Sequence, residues 1–257
     1  MWKRIRIALL LLVLAFVASG AWFERRRSHD WHEPQDIGIV PVAGDDSPVT
    51  LAYVAGLTPE EFADVGTFMT AQAATYGLSV GTPVRVHLYP AIGERPPPPP
   101  RAGGVAAAVL WSLRLRYFAV RHGEIPPHAA TAVRMFVVYH DPARAPQVPH
   151  SAGLEKGLIG VAHLFAAPHM RGSNAVVVAH EYLHTVGATD KYDPASDEPV
   201  FPAGFAEPAR EPRFPQRYAE IMAGRRPLAP GVQEMPESLA GCVIGEATAA
   251  EIGWVVH

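Results

Sequence analysis

The stretch from Ala175 to Asp190 constrains the fold of this chain more than any other part of its 257-residue sequence. At 100° per residue, His180 and His184 project side by side from one face of a helix. The apolar residues of the stretch cover the opposite side of that helix: Ala175, Val178, Ala179, Tyr182, Leu183 and Val186. The pattern therefore predicts a helix over 175–186 that is buried along one face and carries two imidazoles on the other.

Both ends of this predicted helix have sequence signals. Ser173 or Asn174 is expected to cap its N-terminus, and Gly187 is expected to end it. Glycine tolerates positive φ, so the chain can turn back sharply at Gly187. We expect this turn to bring Asp190 towards the two histidines.

Two imidazoles and a carboxylate at this spacing are the donor set of a catalytic zinc site. Such a site uses three protein ligands and keeps one position for water, and His180, His184 and Asp190 supply three. Glu181 lies beside the ligands and points away from direct coordination, so it is placed to accept a proton from water and pass it to a leaving group. The sequence therefore predicts a Zn²⁺ site with Glu181 as the general base. The alternative is a surface helix that carries these residues by chance.

The eleven residues from His180 to Asp190, HEYLHTVGATD, resemble the extended motif of the metzincin clan of zinc peptidases. Asp190 stands where most members have a third histidine, as in the snapalysin-like and immune-inhibitor-like branches. The resemblance implies a zinc-dependent endopeptidase that acts on peptide or protein substrates. It also implies an α+β fold, in which an upper lobe holds a twisted mixed sheet and the active-site helix, and an irregular C-terminal region forms the lower lobe.

Metzincins also have a methionine in a tight turn beneath the metal. The resemblance assigns this place to Met222, in the sequence Ile221-Met222-Ala223-Gly224. Met235 is the competing candidate, but it lies between Glu234 and Pro236, a polar context that suits such a position badly. Ordinary packing is the alternative for both methionines.

A tyrosine two residues after this methionine stabilises the transition state in astacin-like members. That place is Gly224 here, so Tyr192 and Tyr218 are the candidates for the role, with plain packing as the alternative for each. Asp193 could orient a ligand or hold a structural calcium ion. Because Asp-Pro commonly starts a turn, a turn at Asp193 is the favoured prediction.

The N-terminal segment carries the second functional signal. Ile7 to Phe23 is an unbroken apolar run with basic residues on both sides, and its length approaches that needed to span a bilayer. It predicts a membrane anchor over residues 1–23, with the catalytic domain outside the cytoplasm in a bacterial cell envelope. The alternative is a cleaved signal segment and a secreted protein. Residues 24–48 are expected to be a linker, and residues 49–257 the metallopeptidase domain.

Hydrophobic patterns predict further elements along the chain. Strands are predicted over 49–54, 84–89, 132–139 and 158–165, helices over 58–76, 104–121 and 246–253, and a polyproline loop over 96–100. His163 is a lone histidine in a predicted strand, so it is expected to be a packed or exposed side chain. Four other histidines lie on Pro-rich stretches without a partner at ligand spacing and are expected to be solvated loop residues: His128, His140, His150 and His169.

Charge and cysteine content exclude some classes of site. The formal net charge of -3 makes nucleic acid an unfavourable partner. Cys242 is the single cysteine, so it forms neither an internal disulfide nor a cysteine-based zinc site. Two alternative functions stay open: a catalytically silent zinc-binding module of metalloprotease fold, and a zinc hydrolase of a non-peptide amide. The sequence carries no signal for oligomeric state.

Overall fold

The computed structural model describes Arg6 and residues 30–100, 104–122, 132–154 and 158–255. The fold of these residues is α+β. It consists of a mixed sheet with helices on both faces, followed by a C-terminal region of short strands and turns.

A five-stranded sheet in the order β2-β1-β3-β5-β4 forms the frame of this fold. The strands are β1 (Gln35–Ala43), β2 (Val84–Leu88), β3 (Ala132–His140), β4 (Ala152–Leu154) and β5 (Ile159–Phe165). Strands β2, β1, β3 and β5 pair in parallel, and β4 pairs antiparallel with β5 at one edge. Strands β1, β3 and β5 contribute side chains to cores on both faces of the sheet, which explains their largely apolar sequences. The edge strand β2 alternates instead, with Arg85 and His87 exposed.

Successive side chains of the central strand β3 belong to two separate cores. The helices are α1 (Pro48–Ala55), α2 (Ala63–Thr75), α3 (Gly104–His122), α4 (Arg171–Thr185) and α5 (Glu246–Glu251). Met135 and Val137 are in the core that also contains residues of α2 and α4. Phe136 and Val138 are in the core that contains Leu115 of α3. Helix α4, with the two histidines, therefore lies on one face of the sheet and α3 on the other.

The described C-terminal residues, 192–255, contain only short strands and form no extended sheet. These strands are β6 (Tyr192–Asp193), β7 (Glu198–Pro199), β8 (Ala219–Glu220), β9 (Arg226–Ala229), β10 (Val232–Glu234) and β11 (Cys242–Val243). They form three two-stranded pairs, β6 with β7, β8 with β11, and β9 with β10.

The strand predicted over 49–54 is wrong, because this segment is helical and lies in α1. Ser47 caps the helix through a hydrogen bond from the backbone N–H of Val49 to its hydroxyl oxygen (3.2 Å), and Pro48 occupies the first turn. Both are ordinary signals of a helix N-terminus. These signals did not lead to a helix prediction because the apolar residues of this segment alternate, which is typical of a strand.

The linker predicted over residues 24–48 is also wrong in part, since β1 lies within it and is central to the sheet. Ile37 and Ile39 are fully buried. Pro41 made this segment an unlikely central strand, because proline cannot donate a ladder hydrogen bond. The predicted elements over 84–89, 104–121, 132–139, 158–165 and 246–253 are confirmed to within a few residues.

The helix predicted over 58–76 is confirmed only from Ala63. Its start, Pro59–Phe62, is a 3-10 turn. The proline segment 96–100 is a loop without helix or strand, and its Pro97 carbonyl accepts a hydrogen bond from Trp111 Nε1 of α3 (2.8 Å).

The structure contradicts the predicted membrane-anchored location. Within the described parts of the chain, no helix combines the length and the apolar character needed to cross a bilayer. The longest of these helices, α3, has 19 residues but carries Arg114, Arg116 and Arg121. The apolar segment 7–23, from which the anchor was predicted, lies outside the described residues.

Candidate metal centre

Helix α4 is fixed to the sheet before it reaches the two histidines. It begins at Arg171, directly after a 3-10 turn over Pro168–Met170, and so starts earlier than predicted. Asn174 does not cap it. Instead its side-chain amide bonds the backbone of Phe165 on β5, with Phe165 O accepting from Nδ2 (2.9 Å) and Phe165 N donating to Oδ1 (3.2 Å). Ser173 makes no cap either, since its hydroxyl donates to the carbonyl of Met170. The predicted apolar stripe of the helix is buried: Ala175, Val178, Ala179, Tyr182, Leu183 and Val186.

The chain reverses direction at the end of α4. Gly187 has φ 105°, a conformation that favours glycine, and the N–H of Ala188 donates to the carbonyl of Leu183 (3.0 Å). This closed turn returns the chain over the last turn of the helix. It brings Asp190 to the face from which His180 and His184 project.

The structure brings together the three side chains that the sequence predicted as ligands. The Nε2 atoms of His180 and His184 lie 3.0 Å apart. Asp190 Oδ1 is 3.3 Å from the first of them and 3.1 Å from the second. Among the described residues, these three form the one group of at least three His, Cys, Asp or Glu side chains close enough to share an ion.

The other ring nitrogen of each histidine faces a carbonyl oxygen. His180 Nδ1 lies 2.9 Å from the carbonyl oxygen of Ile221, and His184 Nδ1 lies 2.9 Å from that of Ala188. A carbonyl only accepts hydrogen bonds, so Nδ1 carries the proton in both rings. The Nε2 lone pairs are therefore left to face Asp190, which is the tautomer that a metal ligand requires.

The charges at the centre affect one another. Burial raises the pKa of the Asp190 carboxyl, but imidazoles that are protonated at Nε2 as well as Nδ1 donate hydrogen bonds to this carboxyl and hold its pKa well below the usual range. Burial lowers the pKa of His180, whereas the hydrogen bond to Asp190 and the nearby Glu181 charge raise it, and the net direction is upward. A metal ion that binds the Nε2 atoms of the two histidines must therefore displace protons from the imidazole rings.

Glu181 lies next to this group and is almost fully buried, with 6% of its surface exposed. Burial raises the pKa of its carboxyl above the usual value. Its Oε2 atom has no hydrogen-bond partner among the described residues. An unpartnered buried carboxyl oxygen is costly, and this one belongs to a residue that lines the cleft beside the three candidate ligands.

A tight turn over Ile221–Ala223 orients the ring of His180 through a hydrogen bond. Ile221 supplies the carbonyl that accepts from His180, Met222 is fully buried, and Gly224 closes the turn with φ 67°. The carbonyl of Met222 accepts from the N–H of Lys191, the residue after Asp190 (3.0 Å). The turn that contains Met222 therefore contacts both the helix and the loop of the centre.

The buried carboxylate of Glu220 fixes this turn. Its oxygens accept hydrogen bonds from the N–H of Ala223 (3.0 Å), the N–H of Gly245 (3.1 Å) and the hydroxyl of Thr248 (2.7 Å). Met235, the competing methionine, is 52% exposed and lies in the wall of a cleft.

The two candidate tyrosines differ in position. Tyr192 is partly buried and lines the cleft. Burial and then the charges of Asp190 and Glu181 raise its pKa to about 12. Tyr218 is 41% exposed and does not line the cleft. Asp193 starts a turn, as predicted, since its Oδ1 accepts from the N–H of Ala195 (2.8 Å).

A cleft of about 520 Å³ opens beside the centre. His180, Glu181 and Tyr192 line one part of it. Apolar side chains of α4 and the preceding segments form much of the remaining wall, among them Phe165, Met170, Val176 and Val177. The centre is therefore open to a substrate of more than a few atoms.

A histidine pair in this region was missed by the sequence analysis. His140 was predicted to be a solvated loop residue, but it ends β3 and its Nε2 lies 2.9 Å from Nδ1 of His163, which lines the cleft. Burial and the neighbouring His140 lower the pKa of His163 to about 4. The pair depends on the register that sets Val138 beside His163, which no local pattern indicates.

Of the other histidines, His150 also lines the cleft. His169 is exposed in the turn before α4, and His128 lies outside the described residues.

No known protein family matches this chain, and a comparison with curated proteins also finds no match.

Proposed function

We propose that this protein is a zinc-dependent peptidase of the metzincin type. His180, His184 and Asp190 hold the zinc ion and Glu181 is the general base. The observation that carries this proposal is the convergence of three ligand atoms beside a buried glutamate with one unpartnered oxygen.

The donor set fits zinc. Two neutral imidazole nitrogens and one carboxylate oxygen form the usual three-ligand set of a catalytic site, and both Nδ1 atoms are already engaged by carbonyls. Mg²⁺ and Ca²⁺ prefer oxygen ligands, which this set offers only through Asp190. When bound, zinc lowers the pKa of a water ligand to about 7 and polarises a carbonyl group.

Glu181 supplies the proton transfers. Its carboxylate accepts a proton from the water that attacks the peptide carbonyl and returns the proton to the leaving amine. Burial favours the protonated form of the side chain, so the proton can stay on Glu181 between these two steps. Tyr192 lines the cleft beside His180 and Glu181, so its phenolic hydroxyl can donate a hydrogen bond to the developing oxyanion.

The position of β4 supports a peptide substrate. It is the edge strand of the sheet, and its outer side has no partner strand among the described residues. At Gly153, a Cβ atom would lie 2.5 Å from His184 Cβ and 2.7 Å from the carbonyl oxygen of Glu181, so glycine lets the strand lie directly against α4. An extended peptide can pair with such an edge and pass beside the centre.

Three further features support the metzincin type. The mixed sheet carries α4 on one face, the buried Met222 lies in a tight turn below His180, and the chain after α4 forms a region of short strands. Each of these agrees with what the sequence resemblance implies.

The two alternatives make different predictions from the same centre. A silent zinc-binding module binds the metal and hydrolyses no peptide, whereas a hydrolase of non-peptide amides requires Glu181 but cleaves other substrates. Metal analysis of the purified protein, followed by a library of quenched fluorescent peptides, tests the proposed function against both. Bound zinc with peptide hydrolysis is the expected result.

A further inference from the structure

Glu251, in the last turn of α5, contacts both residues that flank Asp190. Its Oε2 accepts from the backbone N–H of Thr189 (2.8 Å) and its Oε1 accepts from the Thr189 hydroxyl (2.7 Å). Its Oε2 also lies 2.6 Å from Nζ of Lys191. One carboxylate on a distant element therefore bonds the chain on each side of Asp190.

Lys191 completes this hydrogen-bond network with Thr189 and Glu251. Its side chain is 7% exposed, and its ammonium donates to the carbonyl of Thr189 (2.7 Å) and to the Thr189 hydroxyl (2.8 Å) as well as to Glu251. A buried ammonium is costly unless it is paired and hydrogen-bonded. Here it meets three oxygen acceptors, so the three residues form a network with matched charge.

Asp190 itself has little packing to hold it. Its side chain is 42% exposed, compared with 15% for His180 and 17% for His184. The histidines are oriented by a buried helix and by carbonyl acceptors. Asp190 lies on the short loop between Gly187 and Lys191, which is also bonded to the turn at Met222 through the N–H of Lys191.

We infer that Glu251, acting through Thr189 and Lys191, is a positioning residue for Asp190 as a metal ligand. This inference rests on the proposed zinc site. It gives the C-terminal helix α5 a specific role, which is to hold the third ligand at the distance that the two histidines require. The competing interpretation is that the network only stabilises the fold, in which case metal affinity does not depend on it.

The test compares metal affinity with stability in the full-length protein. Glu251→Gln keeps the size of the side chain and removes its charge, and Thr189→Val removes one hydroxyl. Glu207→Gln is the matched control, because Glu207 also accepts from a backbone N–H and a cationic side chain, both of Arg217 (2.9 and 2.7 Å), in a different loop. Zinc affinity is measured by competition with a chromophoric chelator, the absorption spectrum with Co²⁺, and the melting temperature without metal.

The expected result is a loss of zinc affinity of about 10–100-fold in Glu251→Gln, as is typical when a group that orients a ligand is removed. Its Co²⁺ spectrum changes because the Asp190 ligand is displaced. Thr189→Val loses less affinity, Thr189→Ser retains it, and Glu207→Gln matches the wild type.

Wild-type zinc affinity and an unchanged Co²⁺ spectrum in Glu251→Gln would overturn the inference. The inference would also be overturned if zinc affinity fell in proportion to the melting temperature in every variant, including Glu207→Gln. If the wild-type protein does not bind zinc, the proposed function is refuted instead. This result is obtained with the wild type alone, so it is distinct from a failure of the inference about Glu251.

Discussion

The Nε2 atoms of His180 and His184 lie 3.0 Å apart on adjacent turns of α4, and each ring is oriented by a carbonyl acceptor at its Nδ1. The two carbonyls come from different places, one from the turn that contains Met222 and the other from the loop that leads to Asp190. The candidate metal centre is therefore assembled from a helix, a loop and a turn that hydrogen-bond to one another.

Removal of the carboxylate ligand is expected to weaken zinc binding. Asp190→Ala deletes the oxygen that lies within 3.3 Å of both imidazoles, so we expect a loss of affinity greater than the roughly 100-fold seen when an orienting group is lost. Chelator competition measures it. Asp193→Ala, three residues away in an exposed turn, is the control and should bind zinc like the wild type. Equal zinc affinities in Asp190→Ala and Asp193→Ala would show that Asp190 is not a zinc ligand.

Tyr192 and Tyr218 should differ in their effect on turnover. Because Tyr192 lines the cleft beside His180 and Glu181, Tyr192→Phe is expected to lower kcat by about 10²–10³-fold, the range for loss of one oxyanion donor. Tyr218→Phe changes an exposed side chain and should leave kcat unchanged. Steady-state kinetics on one cleaved peptide measure both variants. Unchanged kcat in Tyr192→Phe would leave this tyrosine with a packing role.

The two methionines should differ in their contribution to stability. Met222 is fully buried, so Met222→Ala is expected to reduce the free energy of unfolding by about 2–5 kcal/mol. Met222→Leu conserves volume and should cost less than about 1.5 kcal/mol. Met235→Ala, at a half-exposed side chain, should lie within roughly 0.5 kcal/mol of the wild type. Urea unfolding at pH 7 measures all three. A similar cost at both sites would contradict the buried position of Met222.

His163 should contribute to acid sensitivity. Its pKa is lowered from 6.5 to about 4 in the folded protein, so the unfolded chain binds a proton that the folded protein does not accept between these values. The stability it provides is therefore complete above pH 6.5 and is lost as pH falls towards 4, by at most about 1.4 kcal/mol per pH unit.

The measurement is urea unfolding of wild type and His163→Gln between pH 7 and 4.5, with chelator present to exclude metal effects. The advantage of the wild type over His163→Gln is expected to shrink as the pH falls. His169, which is exposed, offers the matched control, and the wild-type profile is expected for His169→Gln. A constant difference between wild type and His163→Gln would show that His163 is not a source of acid sensitivity.

The sequence predicted the local part of the centre because helical periodicity and one glycine determine it. The spacing of His180 and His184 sets their common face, and Gly187 with φ 105° allows the return to Asp190. The support around these residues depends on contacts over long sequence separations. Glu251 meets Thr189 from 62 residues away, and no pattern in either segment indicates this contact.

The strands of the sheet were likewise only partly predictable from the sequence. The apolar patterns of β2, β3 and β5 identified three of its strands. Strand β1 was missed because Pro41 interrupts its pattern, although it pairs in parallel on both sides and its side chains are buried in the two cores. The pairing of His140 with His163 follows from the register of β3 with β5, which is a tertiary property.

The most direct test of the central claim is metal content and peptide hydrolysis measured together in wild type, Glu181→Gln and Glu246→Gln. Glu246 is an exposed residue of α5 and serves as the control. We predict bound zinc in all three proteins, hydrolysis by wild type and Glu246→Gln, and a kcat about 10²–10⁴-fold lower in Glu181→Gln, which retains the ligands but cannot accept a proton. Full activity of Glu181→Gln, or zinc-loaded wild type that cleaves no peptide in the library, would contradict the proposal.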